Sequence, residues 1–153
     1  MKMKYIFTVL SVLLLSQFAF GQSERSSVID GDSVSKGVAS YYHDKFVGRH
    51  TSTGEVFSND KYPAASNHLS LNTYVKVTNI KNGKYLYVRI NDRMSKNNKR
   101  LIDMASICAK KLDYKDAGLA NVKVEVVPEE EGKQGILAQK NGIQLEDESA
   151  NKL

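Results

Sequence analysis

Cysteine is nearly absent from this 153-residue chain: Cys108 stands alone. Without a second thiol no internal disulfide can form, so the folded part must be stable through packing. Histidine is almost as scarce. His43, His50 and His68 share no x-x-x-H helical spacing, and with one thiol they make no ligand set, so neither metal nor cofactor is expected. Long apolar runs are missing too. The nearest, from about Tyr5 to Phe20, falls short of the ~20 residues a hydrocarbon core requires. Internal repeats and low-complexity tracts are absent, and the length excludes two large domains.

What is present reads as one exported globular domain with flanks. Apolar residues are 41% and charged residues 25% of the chain, a globular rather than disordered balance. Lys2 and Lys4 precede the apolar stretch, and Ala19 and Gly21 suit a cut ahead of Gln22, so 1–21 is expected to be a cleaved signal peptide. No cysteine stands at that cut to carry a lipid. The protein is therefore expected in the periplasm or cell envelope, neither anchored stably in a membrane nor a lipoprotein. Residues 22–36, rich in Ser, Gly and Asp, read as a flexible linker. Residues 128–153 read as an acidic, disordered tail, although the apolar patch Gly135 to Ala138 could dock back on the domain.

Between the flanks, residues 37–127 hold 15 Lys and Arg against 8 Asp and Glu, a net of +7. Such a domain suits nucleic acid, anionic lipid or an acidic polysaccharide, or the charge simply keeps it soluble; export makes nucleic acid the least apt.

Alternation by two dominates this region, as half-buried strands require. It predicts strands at Thr73 to Ile80, Tyr85 to Ile90 and Asn121 to Val127, with another at Val38 to Tyr42. Lys81-Asn82-Gly83 joins the first two as a hairpin, since Asn-Gly accepts positive φ. One short helix is expected over Asp103 to Leu112, with Asp103 as its N-cap and Cys108 as a small buried apolar residue. Short strands with one helix in so few residues indicate an all-β barrel or sandwich, and long exposed edges are better avoided by a barrel.

Glycan cleavage by carboxylates is the natural chemistry to test outside a membrane. Asp44, Asp60, Asp113 and Asp116 sit in polar, turn-like contexts, and Glu125 is an outward strand residue. Glu55 and Asp92 remain. Asp92 ends the apolar run Val88-Arg89-Ile90-Asn91, where partial burial can keep a carboxyl protonated for acid catalysis; the plain alternative is a turn or an Arg93 pair. Tyr41, Tyr42, Phe46, Tyr85 and Tyr87 are candidate sugar platforms, or core aromatics.

Several blocks resemble one family. Gly37-Val38-Ala39-Ser40-Tyr41-Tyr42, then Phe46, then Gly48-Arg49-His50-Thr51-Ser52-Thr53-Gly54-Glu55 follow the pattern G-x-A-S-W-Y and F-x-G-R-x-T-A-N-G-E. Ala64-Ala65, the stretch Leu69 to Asn79, Asn82-Gly83, Val88 to Arg93 and Arg100 to Asp103 continue the match in register. Over about Gly37 to Val127 the chain resembles the rare lipoprotein A (RlpA)-like proteins. The resemblance implies a six-stranded double-psi β-barrel and an endolytic lytic transglycosylase acting on peptidoglycan strands that lack stem peptides. Such an enzyme closes a 1,6-anhydro ring on muramic acid instead of adding water, with one carboxyl acting as acid and then base. It places Asp92 in that role and Glu55 as a second catalytic-site acid, with Tyr42, Arg49, Thr51, Ser66, His68, Asn91 and Arg93 as substrate-binding candidates. The partner implied is the peptidoglycan glycan strand, met by a monomer.

The chain departs from the pattern where the family has A-A-H: Ser66 holds the His position, and His68 lies two residues on, expected to share its strand face. Met94-Ser95 replaces the Gly-Pro after N-D-R, Tyr41 the W of S-W-Y, and Ser70 a Pro. The alternative expectation is a non-catalytic, expansin-like peptidoglycan-binding module.

Overall fold

The computed structural model describes residues 33–142. The expected signal peptide, most of the expected linker and the last residues of the tail lie outside that range. Six strands form: β1 (Val34–Tyr41), β2 (Pro63–Ala65), β3 (Tyr74–Asn79), β4 (Tyr85–Asp92), β5 (Ile102–Met104) and β6 (Ala120–Val127). They close in the order β1-β5-β2-β4-β3-β6, with β1/β5 and β2/β4 parallel and the other pairs antiparallel. Every strand has two neighbours, so no edge is left to pair with another chain.

The expected alternation fills the barrel. Val75, Val77, Leu86, Val88, Ile90, Val122 and Val124 point inward and are shielded from solvent, joined by Ile102 and Met104. At the β3/β4 hairpin Gly83 has φ +75°, the left-handed conformation that Asn-Gly predicts. Asn79 seals it, donating its backbone N–H to Lys84 and its side-chain amide to the Leu112 carbonyl.

Three expectations are corrected. β1 starts at Val34, so the end of the supposed linker is a strand paired with β6. The helix after β5, α1 (Ser106–Lys111), starts later than expected: Asp103 lies inside β5, and Ala105 occupies the N-cap. The tail is not disordered where it is described. Glu129–Lys140 forms a second helix, α2, with three glutamates in its first turn and a lysine in its last, both favourable to the helix dipole.

α2 docks on β3 and β4 because two glycines remove the side chains that would hold it away. A Cβ on Gly132 would sit 2.3 Å from the Tyr74 Cβ, and one on Gly135 2.3 Å from the Tyr87 Cδ2. Gln139 then completes β4 where β2 does not reach. Its Oε1 accepts from the Tyr87 N–H at 2.5 Å, and its Nε2 donates to the Tyr87 carbonyl at 2.9 Å.

Candidate active site

A bulge in β4 builds the site. Ala64 pairs with Ile90 but Ala65 pairs with Asp92, so Asn91 is an extra residue in the ladder. Without it Asp92 would share the inward face of Ile90; with it, Asp92 aligns with Ala65 and turns outward. Across the barrel Ala65 pairs with Asp103, and Asp103 with Ser40. Ser40, Asp103, Ala65 and Asp92 thus form one outward row across β1, β5, β2 and β4.

The loop 48–57 packs on the bulge. Gly54, at φ +83°, turns it so that the Gly54 N–H reaches the Thr51 carbonyl at 2.9 Å and the Thr51 N–H reaches the Glu55 carbonyl at 2.8 Å. The Thr53 N–H donates to the carbonyl of Asn91 at 3.1 Å. Ser52 meets Asp92 directly: its N–H lies 2.9 Å and its hydroxyl 2.6 Å from Oδ1, which also accepts the Arg93 N–H at 2.8 Å. Three donors on Oδ1 leave Oδ2 as the oxygen that can carry a proton.

A groove of about 430 Å³ opens beside this carboxyl. Tyr41, Tyr42 and Phe46 supply its aromatic wall; Lys45, Arg93 and Arg100 make it cationic, and Asp103 lies in it. The Tyr42 ring is held edge-on by Phe46 and Phe57, with centroids at 6.1 and 5.3 Å. Its hydroxyl is buried without a well-formed hydrogen bond. Burial first, then the charges of Asp92 and Asp103, hold that hydroxyl's pKa far above its ordinary value, so it stays protonated. Ser40 Oγ hydrogen-bonds Asp103 Oδ1, and the Arg100 guanidinium lies 3.8 Å from Oδ2.

The other expected residues divide. Glu55 does not face Asp92. Arg89 grips both its oxygens, at 2.6 and 2.5 Å, and this hydrogen-bonded pairing holds the Glu55 carboxyl below the usual range. Asn91 is buried beside them with its Oδ1 unpartnered. The Thr51 hydroxyl is 3.0 Å from that of Thr53, and the Arg49 guanidinium stacks on Phe46 at 5.3 Å. Arg93 Nη1 is engaged by two carbonyls, of Ser66 at 2.5 Å and Leu69 at 2.8 Å.

Ser66 and His68 do not share a strand face, because β2 stops at Ala65. Ser66 is fully buried and ties a turn: its hydroxyl donates to the Leu101 carbonyl at 2.9 Å and accepts the N–H groups of His68 at 3.1 Å and Leu69 at 3.3 Å. His68 is exposed. Ser52, Lys45, Arg100 and Asp103 are site residues that sequence reasoning passed over. Asp103 had a signal, since a helix with Ala105 at its N-cap leaves no capping duty for an aspartate two residues earlier.

A closed six-stranded barrel with two parallel pairs and a carboxyl-bearing groove on its outer face is the architecture of double-psi barrels. The family model described as lytic transglycolase matches residues 34–124, more than half of the chain, and the chain belongs to that family. The endolytic peptidoglycan transglycosylase RlpA of Haemophilus influenzae is 40% identical over 94 residues, covering 61% of this chain and 33% of that protein. Its namesake in Pseudomonas aeruginosa is 46% identical over 89 residues, covering 58% and 26%. The chain therefore matches only about a quarter to a third of the length of these relatives. Among solved structures, cerato-platanin 3 from M. perniciosa superposes with TM-score 0.51 at 13% identity, over 65% of this chain and 99% of that one. A Streptomyces papain inhibitor does so with TM-score 0.51 at 20% identity, over 63% and 96%. At those identities the likeness is one of fold.

Proposed function

We propose that this chain is an exported lytic transglycosylase that cuts peptidoglycan glycan strands lacking stem peptides and leaves 1,6-anhydro-muramic acid ends. The observation that carries the reading is the Asn91 bulge, which turns Asp92 outward at the end of an aromatic and cationic groove with one carboxylate oxygen held and the other available. Asp92 protonates the leaving glycosidic oxygen from Oδ2. The positive charge that develops at C1 is then quenched by the sugar's own C6 hydroxyl. Lys45 and Arg100 suit the lactyl carboxylate that is bared when a stem peptide is removed. Glu55 acts at a distance: its Arg89 pair fixes the loop whose Ser52 holds Asp92.

The test is to incubate the protein with amidase-treated sacculi and look for anhydro-muramoyl products by mass spectrometry. Asp92→Asn should abolish them, and their persistence would remove Asp92 from the chemistry. Reducing ends instead would indicate hydrolysis. One observation favours a second reading, a glycan-binding module without turnover: Ser66, at the family's His position, is a buried turn cap and offers the groove no side chain. That reading predicts co-sedimentation with sacculi and no anhydro ends.

A further inference from the structure

We propose that Asp103 is a second catalytic carboxyl of the same groove, accepting the proton of the C6 hydroxyl while Asp92 protonates the leaving oxygen, with the Tyr42 hydroxyl linking the two. The inference rests on the transglycosylase reading above. Its geometry comes from the outward row. Asp92 and Asp103 both pair with Ala65, one from each side, so two inter-strand spacings, about 9–10 Å, separate their backbones. Between them stands only a methyl group. Two carboxyls that face each other across Ala65 leave space for reacting atoms, and Asp103 lines the groove.

Asp103 is also held as a working group would be. Ser40, its neighbour in the row, bonds Oδ1, and the Ser40 carbonyl is in turn fixed by the Tyr114 hydroxyl at 3.0 Å. Arg100 approaches Oδ2 only to 3.8 Å, longer than a hydrogen bond, so that oxygen remains open to a donor. Asp92 is complementary. With three donors on Oδ1 it offers a single oxygen, which must already serve the leaving group. A separate base for O6 removes the need for one oxygen to reach both places.

The protons balance. Asp92 Oδ2–H transfers its proton to the glycosidic oxygen as the C1–O bond breaks. The C6 oxygen bonds to C1, and its proton passes to Asp103 Oδ2. When the product leaves, Asp103 carries one proton too many and Asp92 one too few. Tyr42 restores both by donating its hydroxyl proton to Asp92 and taking one from Asp103. Its hydroxyl is suited to this because it is buried, has no competing well-formed hydrogen bond, and can act as donor or acceptor.

The experiment compares wild type, Asp92→Asn, Asp103→Asn and Tyr42→Phe for anhydro-product formation on amidase-treated sacculi, with circular dichroism to verify folding. Asp103→Asn should lower kcat about 100-fold or more, in the range that positioned acid–base groups contribute, with KM within about twofold. Asp103→Glu should recover part of the loss. If Asp103→Asn keeps wild-type kcat while Asp92→Asn is dead, Asp92 works alone: this inference fails and the transglycosylase reading stands. Absence of anhydro ends from wild type overturns the reading itself. Should Asp103→Asn not fold, Tyr42→Phe decides, since it keeps the ring packing and removes only the hydroxyl. Steady-state turnover should then fall while the first turnover survives, and an unchanged steady-state rate would overturn the relay.

Discussion

Gly135→Ala separates two pictures of the residues after Pro128 by the sign of its effect. In a helix that merely projects into solvent, replacing an interior glycine by alanine stabilises by about 0.8–1 kcal/mol. In the docked helix the new methyl lands 2.3 Å from Tyr87 Cδ2 and 2.5 Å from Cγ, where carbon atoms need about 3.5–4 Å. The ring is pinned by its own hydroxyl, which donates to Glu131 at 3.1 Å, so α2 must move outward by more than 1 Å. That motion strains both Gln139 hydrogen bonds to the Tyr87 backbone. Overpacking costs about 1–3 kcal/mol and each hydrogen bond lost about 1 kcal/mol. Set against the propensity gain, the balance is a loss of about 1–3 kcal/mol. In a domain near 100 residues each kcal/mol moves Tm by about 4–8 °C. Calorimetry should therefore show Gly135→Ala melting at least 4 °C below wild type. A Tm raised by a few degrees would refute the docking, because only an undocked helix profits from the methyl group.

Three further outcomes follow from the packing. Ser66→Ala should cost about 1–3 kcal/mol in urea unfolding, because it strips a buried carbonyl and two N–H groups of their shared hydroxyl; Ser66→His, which puts a ring into a filled site, should cost more and yield no gain in activity. Glu55→Gln should cost about 0.5–1 kcal/mol at pH 7, the scale of a partly exposed ion pair. Since Arg89 lowers the Glu55 pKa, that contribution is complete above the unfolded value of about 4.3 and is lost as pH falls through the folded one, so mutant and wild type should converge by acid titration. Burial pushes the Cys108 thiol up to about 12, so iodoacetamide should leave it unmodified in the native protein and label it in denaturant.

The parts of this protein legible in sequence are those whose side chains alternate for six residues or more. β3, β4 and β6 announce themselves because each inward valine, leucine or isoleucine is flanked by polar or aromatic outward residues. β2 and β5 have three residues each, too few for any period, and their pairing is decided by neighbours distant in the chain. That is why Asp103 reads as a helix cap. α2 was illegible for a different reason: glycines at 132 and 135 lower helix propensity, yet they are what lets the helix lie against Tyr74 and Tyr87, so tertiary packing outweighs a local penalty.

Asp92 shows most sharply where local pattern stops. Strict alternation through Leu86, Val88 and Ile90 assigns position 92 to the core, where an aspartate would have to be neutral or paired. One surplus residue reverses this. Because Asn91 is excluded from the ladder, its carbonyl is free to accept from Thr53 and its neighbour is turned toward Ser52 and the groove, so a single irregularity both anchors the 48–57 loop and aims the acid. The same irregularity aligns Asp92 with Ala65 and hence, through strand pairing alone, with Asp103. Removing Asn91 would restore the alternation, carry Asp92 inward and uncouple the two carboxyls at once. The site is therefore a property of the register, and no substitution at position 92 or 103 by itself could recreate it.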